Sequence, residues 1–60
     1  MNDFVNMVKM LSTATVFDGW KAETYDGEGK KIITVYAHTD AEYNTCFYFD
    51  KEGNLIQVEN

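Results

Sequence analysis

Apolar and polar positions along the chain follow two different periods, and the change falls near residue 15. Before it, Phe4, Met7, Val8 and Leu11 recur at i, i+3, i+4 and i+7, one face of an amphipathic helix. Asn6, Lys9 and Thr13 lie opposite, with Val5 and Met10 flanking. The spacing predicts a helix over about residues 3–13. Asn2 is placed to cap its N-terminus, and Asp3 sits in the first turn, where the helix dipole favours an acid. The run Ser12-Thr13-Ala14-Thr15-Val16 loses helix propensity and hands over to strand.

Beyond that point the pattern predicts four strands, over about 16–25, 31–39, 43–49 and 55–59. Asp26-Gly27-Glu28-Gly29 supplies two residues that accept positive φ. Asp50-Lys51-Glu52-Gly53-Asn54 reads as a type I turn with Gly53 in the left-handed region. Asp40-Ala41-Glu42 carries the weakest turn signal. Connections this short force antiparallel neighbours. The expected fold is α+β: one N-terminal amphipathic helix packed on one face of a four-stranded antiparallel meander, order 1-2-3-4, in a single domain over residues 1–60.

Register arithmetic sorts the two faces. Closing the first hairpin around Gly27-Glu28 sets Ala22 opposite Ile33 and Trp20 opposite Val35. Pairing Thr39 with Tyr43 sets Ala37 opposite Thr45, Val35 opposite Phe47 and Ile33 opposite Phe49. Both hairpins then place Trp20, Ala22, Ile33, Val35, Phe47 and Phe49 on one face, which the helix is free to cover, with Val35 and Phe47 at its centre. In the last hairpin a four-residue loop sends Ile56 and Val58 to that face, while a three-residue loop with a bulge sends Leu55 there. The first is preferred because it buries two β-branched residues.

The opposite face then carries Phe17, Gly19, Lys21, Glu23, Tyr25, Ile32, Thr34, Tyr36, His38, Asn44, Cys46, Tyr48, Leu55 and Gln57, with no further element to cover it. A free sheet face is usually polar. This one has a centre of Ile32, Tyr36, Cys46 and Tyr48 rimmed by polar side chains. Ordinary strand composition accounts for it, with Tyr36 leaning across Gly19; so does a binding surface, whose anatomy is an apolar centre with a polar rim.

Composition narrows the function classes. The 60 residues are 45% apolar and include nine aromatics, enough to order the chain. A domain of this size is short of core, which raises the expectation of a homodimer or a partner-dependent fold. Cys46 has no intrachain partner, and one Cys with one His excludes a Cys-based structural zinc. No stretch approaches the ~20 apolar residues of a membrane span, and the N-terminus lacks the basic start and apolar run of a signal peptide. A cytoplasmic, reducing setting is expected, with no membrane contact and no cofactor.

Catalytic equipment is sparse, and no enzyme is expected. His38 and Cys46 would form a diagonal pair about 7–8 Å apart at the backbone, with Asn44 opposite His38. A flat sheet face offers them neither pocket nor oxyanion site. The carboxylate pairs Asp26/Glu28, Asp40/Glu42 and Asp50/Glu52 lack the spacing of a calcium loop. Gly27-Glu28-Gly29-Lys30 joins two strands and is no phosphate loop.

Ten acids face five lysines and no arginine, for a net charge of −5, which disfavours direct nucleic-acid binding. The first and third turns fall at one end of the meander, so Asp26, Glu28, Asp50 and Glu52 gather there. A helix followed by a four-stranded meander resembles the cystatin-like arrangement in outline, a likeness of shape that assigns no function. In size and chemistry the chain resembles the small accessory proteins of phages and mobile elements, which commonly bind and inhibit host proteins. The leading expectation is a non-enzymatic module that binds a protein partner, or itself, through Ile32, Tyr36, Cys46 and Tyr48. The alternative is an acidic, nucleic-acid-mimicking inhibitor of the anti-defence type. It would occupy a basic groove through Asp26, Glu28, Asp40, Glu42, Asp50 and Glu52.

Overall fold

A computed structural model describes residues 2–13, 19–36 and 44–60. Helix α1 spans Asp3–Thr13, and strands β1 (Gly19–Thr24), β2 (Lys31–Tyr36), β3 (Asn44–Phe49) and β4 (Leu55–Glu59) follow. The strands form one antiparallel sheet in the order β1-β2-β3-β4, the α+β meander that the pattern predicts. The expected strand extensions at 16–18, 37–39 and 43, and the turn Asp40-Ala41-Glu42, lie outside the described residues.

Helix α1 starts where Asn2 caps it: the Val5 N–H donates to Asn2 Oδ1 at 2.9 Å, and the Asn6 N–H to the Asn2 carbonyl at 3.0 Å. It ends without a basic residue in its last turn. The Ser12 hydroxyl donates to the Val8 carbonyl (2.7 Å) and the Thr13 hydroxyl to that of Met10 (3.0 Å), supplying donors near the helix end.

The first and third turns share the sequence Asp-x-Glu-Gly and the same construction. Asp26 Oδ1 accepts the N–H groups of Glu28 and Lys30; Asp50 Oδ1 accepts those of Glu52 and Asn54. The glycine N–H donates to the aspartate carbonyl in both. Gly29 and Gly53 take φ of 86° and 89°, while Gly27 does not enter the positive region, so each turn uses one left-handed glycine where the first was expected to offer two.

The third turn also receives the helix. The Phe4 N–H donates to the Gly53 carbonyl at 2.9 Å, Asn2 Nδ2 to the Glu52 carbonyl at 2.9 Å, and the Leu55 N–H to Asp3 Oδ2 at 2.9 Å. Gly53 is buried beneath Asn2, and a Cβ there would collide with the Asn2 side-chain amide. These contacts aim α1 across the sheet. Leu11, Ile33, Val35 and Phe49 form the core, flanked by half-buried Phe4, Met7, Val8, Trp20 and Phe47. The Phe4 ring meets Phe49 edge-on with centroids 5.3 Å apart, and Lys31 Nζ lies 4.6 Å from the Phe4 centroid.

The β1–β2 register is as expected, with Trp20 opposite Val35 and Ala22 opposite Ile33. The β2–β3 register differs by two residues: Val35 faces Thr45, and Ile33 faces Phe47. A two-residue slip leaves every side chain on its own face, so alternation cannot detect it. The observed register carries Phe49 to the end of the sheet, opposite Lys31 and under Phe4, where it is fully buried. Among the described residues Ile33 and Phe49 are therefore the most buried apolar side chains, in place of Val35 and Phe47.

The last hairpin combines both expected alternatives. Val58 faces Phe47, but a bulge shifts the pairing between Tyr48 and Phe49, so Leu55 faces Phe49. Leu55 thus belongs to the helix side, correcting its assignment to the free face. The helix does not bury all of this side. Ala22 is exposed on β1, and Leu55, Ile56 and Val58 are exposed on β4. A helix is about 10 Å across and strands are about 4.8 Å apart, so one helix shelters about two strands.

Replacing Gly53 by alanine should cost more than the ~1–2 kcal/mol of left-handed backbone alone, because the new methyl also meets Asn2. Gly27→Ala, with ordinary φ and no neighbouring atom within 4 Å, should stay within about 0.5 kcal/mol. Urea midpoints of the two variants check the contrast. In the same assay Phe49→Ala should cost ~3–5 kcal/mol and exceed Phe47→Ala.

Candidate functional site

The face of the sheet away from α1 is built from cross-strand rows. Glu23, Ile32, Tyr48 and Gln57 form one; Lys21, Thr34, Cys46 and Glu59 the next; Gly19, Tyr36 and Asn44 a third. Among the described residues no helix or strand packs over this face. Strand alternation thus places the four predicted residues Ile32, Tyr36, Cys46 and Tyr48 together on it, each half-buried.

Their arrangement differs from the expected aromatic centre. In the expected register Tyr36 and Tyr48 would be diagonal neighbours. The two-residue slip sets Tyr36 opposite Asn44 and Tyr48 opposite Ile32, with the Thr34–Cys46 row between them. Thr34 is buried, its Oγ1 3.7 Å from Cys46 Sγ, and the thiol lies 3.9 Å from Asn44 Oδ1. The middle of the face is therefore small and polar. The aromatic mass is displaced to one end, where Tyr25 packs edge-on against Tyr48 with centroids 5.4 Å apart. Tyr25 was not among the predicted site residues, although its strand parity with Glu23 placed it on this face.

Charge surrounds both tyrosine positions. Lys21 Nζ lies 3.7 Å from Glu23, and this carboxylate, followed by the Tyr36 hydroxyl, holds the ammonium above its ordinary range. The Tyr48 hydroxyl lies 3.5 Å from Glu59 Oε1; desolvation and then the Glu59 charge raise its pKa. A neutral Tyr48 presents its ring with its hydroxyl directed to a carboxylate.

His38 lies outside the described residues, so the His38–Cys46 pair has no described geometry. Asn44, expected opposite His38, faces Tyr36. Among the described residues no group of three or more His, Cys, Asp or Glu side chains could hold a metal ion, and no helix is long and apolar enough to cross a membrane.

The acidic alternative has a location too. Glu28, Lys30, Asp50, Lys51 and Glu52 line an open cleft of about 400 Å³ between the first and third turns. Asp26, Glu28, Asp50 and Glu52 thus occupy one end of the meander; Asp40 and Glu42 lie outside the described residues. Two of these four acids are engaged internally, since Asp26 and Asp50 organise their turns. Lys30 and Lys51 interleave with the rest, Lys30 lying 3.7 Å from Glu28. Searches against protein-family models, curated proteins and solved structures found no match to this chain.

The Asn54 backbone N–H, then the Asn54 side chain and the N–H groups of Glu52 and Gly53, hold the Asp50 carboxyl below its ordinary value of 3.8. A depressed folded-state pKa contributes stability that is fully present above the unfolded value and is lost as pH falls through the folded one. Asp50→Asn should therefore lose less melting temperature than wild type between about pH 7 and about pH 3. An equal loss in both proteins would remove Asp50 from the acid response.

Proposed function

We propose that this protein is a non-enzymatic binding module that recognises a protein partner through the helix-free sheet face, in the manner of a small inhibitory accessory protein. The observation that carries the reading is the Tyr25–Tyr48 pair beside Ile32 on a face with no covering element among the described residues. Tyrosine supplies large, rigid contact area with a polar tip, and aromatic clusters with a polar rim are where interface energy concentrates. Lys21, Glu23, Gln57 and Glu59 form that rim, and Cys46 is a half-buried neighbour without a catalytic role. The acidic end has less in its favour as a nucleic-acid mimic, because its turn-forming aspartates are occupied and lysines break the run of charge.

Affinity capture from the native host, followed by titration of the captured partner, tests the reading. Tyr25→Ser with Tyr48→Ser should weaken binding at least tenfold while circular dichroism reports an intact fold; Tyr36→Ser, at the far end of the face, should weaken it less. Glu28→Gln with Glu52→Gln should mainly slow association. Collapse of binding in the charge variant, with normal binding by the tyrosine variant, would transfer the function to the acidic end.

A further inference from the structure

Strand β4 is an edge of the sheet, and all five of its residues are exposed. Leu55, Ile56 and Val58 are 41%, 53% and 51% exposed. Beside them Met10, 56% exposed, lines a groove with Asp3, Asn6, Met7, Phe49 and Leu55. Among the described residues, most of the large exposed apolar side chains thus border one side of the molecule. The other edge is guarded: β1 carries Lys21 and Glu23, charges of the kind that discourage edge pairing. β4 has no lysine and no proline, and its bulge lies at its start.

We propose that β4 pairs antiparallel with β4 of a second copy, joining two sheets into one of eight strands. The surface is self-complementary under a two-fold axis through Gln57. Ile56 then faces Val58 of the second copy and Val58 faces its Ile56, while the bulge leaves Leu55 on the helix side at the end of the paired segment. The apolar rows meet on the helix side, with Met10 of each copy flanking them. Charge favours this alignment. Glu59 is the single ionised side chain on β4, and the axis separates it from its counterpart by roughly 14 Å of strand, beyond the ~8 Å screening length at physiological salt. A sliding register that brought the two glutamates together would be repelled.

Area sets the strength. Each strip is about 17 Å long, five residues of strand. A standard interface takes ~800 Å² per partner, close to a fifth of this chain's 4195 Å². Two strand-and-groove strips supply less than that, which makes a concentration-dependent dimer. Each copy carries a net charge of −5, so association strengthens with added salt, the reverse of a charge-driven complex. The proposal rests on Leu55, Ile56 and Val58, shares only the rim residues Gln57 and Glu59 with the tyrosine face, and does not depend on the function assigned to that face.

Sedimentation velocity on the whole chain, across concentration and salt, tests the dimer. Wild type should shift from monomer to dimer at high micromolar concentration, and at lower concentration in high salt. Ile56→Lys with Val58→Lys should weaken dimerisation at least tenfold, whereas Tyr25→Ser with Tyr48→Ser should leave it unchanged. Geometry is tested separately in a Cys46→Ser background: mild oxidation should cross-link Gln57→Cys, on the axis, and leave Glu23→Cys, on the other edge, monomeric. Should the lysine variant fail to fold, the cross-linking pair still decides. A protein that stays monomeric at millimolar concentration in high salt, or a dimer that cross-links through Glu23→Cys instead, overturns the proposal.

Discussion

The hydrogen-bonded seat of the helix N-terminus on the third turn is the contact on which the rest of the architecture depends. An 11-residue helix is marginal by itself in water. Here Asn2 uses one side-chain atom to cap the helix and another to hold the Glu52 carbonyl, while Phe4 and Asp3 bond to Gly53 and Leu55. These contacts join residues about 50 positions apart, so the start of the described chain is fixed to its last hairpin. They require a turn whose glycine has no side chain and a left-handed backbone, which Gly53 provides. With the helix seated, Phe4 reaches Phe49 and Leu11 reaches the centre of the sheet.

The same seat determines what stays uncovered. One helix shelters the middle of a four-stranded sheet and leaves both the far face and the β4 edge without a covering element among the described residues. The two surfaces differ in kind. The far face presents exposed Tyr25 with half-buried Tyr36 and Tyr48 among paired charges, and a small polar centre. The β4 edge presents unpaired backbone with exposed aliphatic side chains, which suits strand addition. The two surfaces offer separate modes of contact.

The architecture was legible from residue pattern alone. The helix bounds, the four strands, their order and the first register all follow from periodicity and turn chemistry, because these are local properties. The candidate site was legible in part. Parity places Ile32, Tyr36, Cys46 and Tyr48 on one face, but their neighbours depend on how β2 and β3 are aligned. The connection between those strands carries no strong turn signal, and slipping by two residues keeps every side chain on its face. Nothing local therefore separated Tyr36 from Tyr48 or set the Tyr25 ring against Tyr48.

What the sequence by itself determined is which side each residue takes: the alternation of Ile33, Val35, Phe47 and Phe49 against Ile32, Thr34, Cys46 and Tyr48, and the two Asp-x-Glu-Gly turns. The tertiary structure decided how far along β2 strand β3 sits and which strands the helix covers. It also decided that Leu55 joins the helix side through a bulge. The physical reason is range. A side chain's face is set by its own strand's two-residue repeat, whereas alignment and coverage are set by contacts such as Phe4 on Phe49 and Asn2 over Gly53, whose partners meet only after the chain has folded.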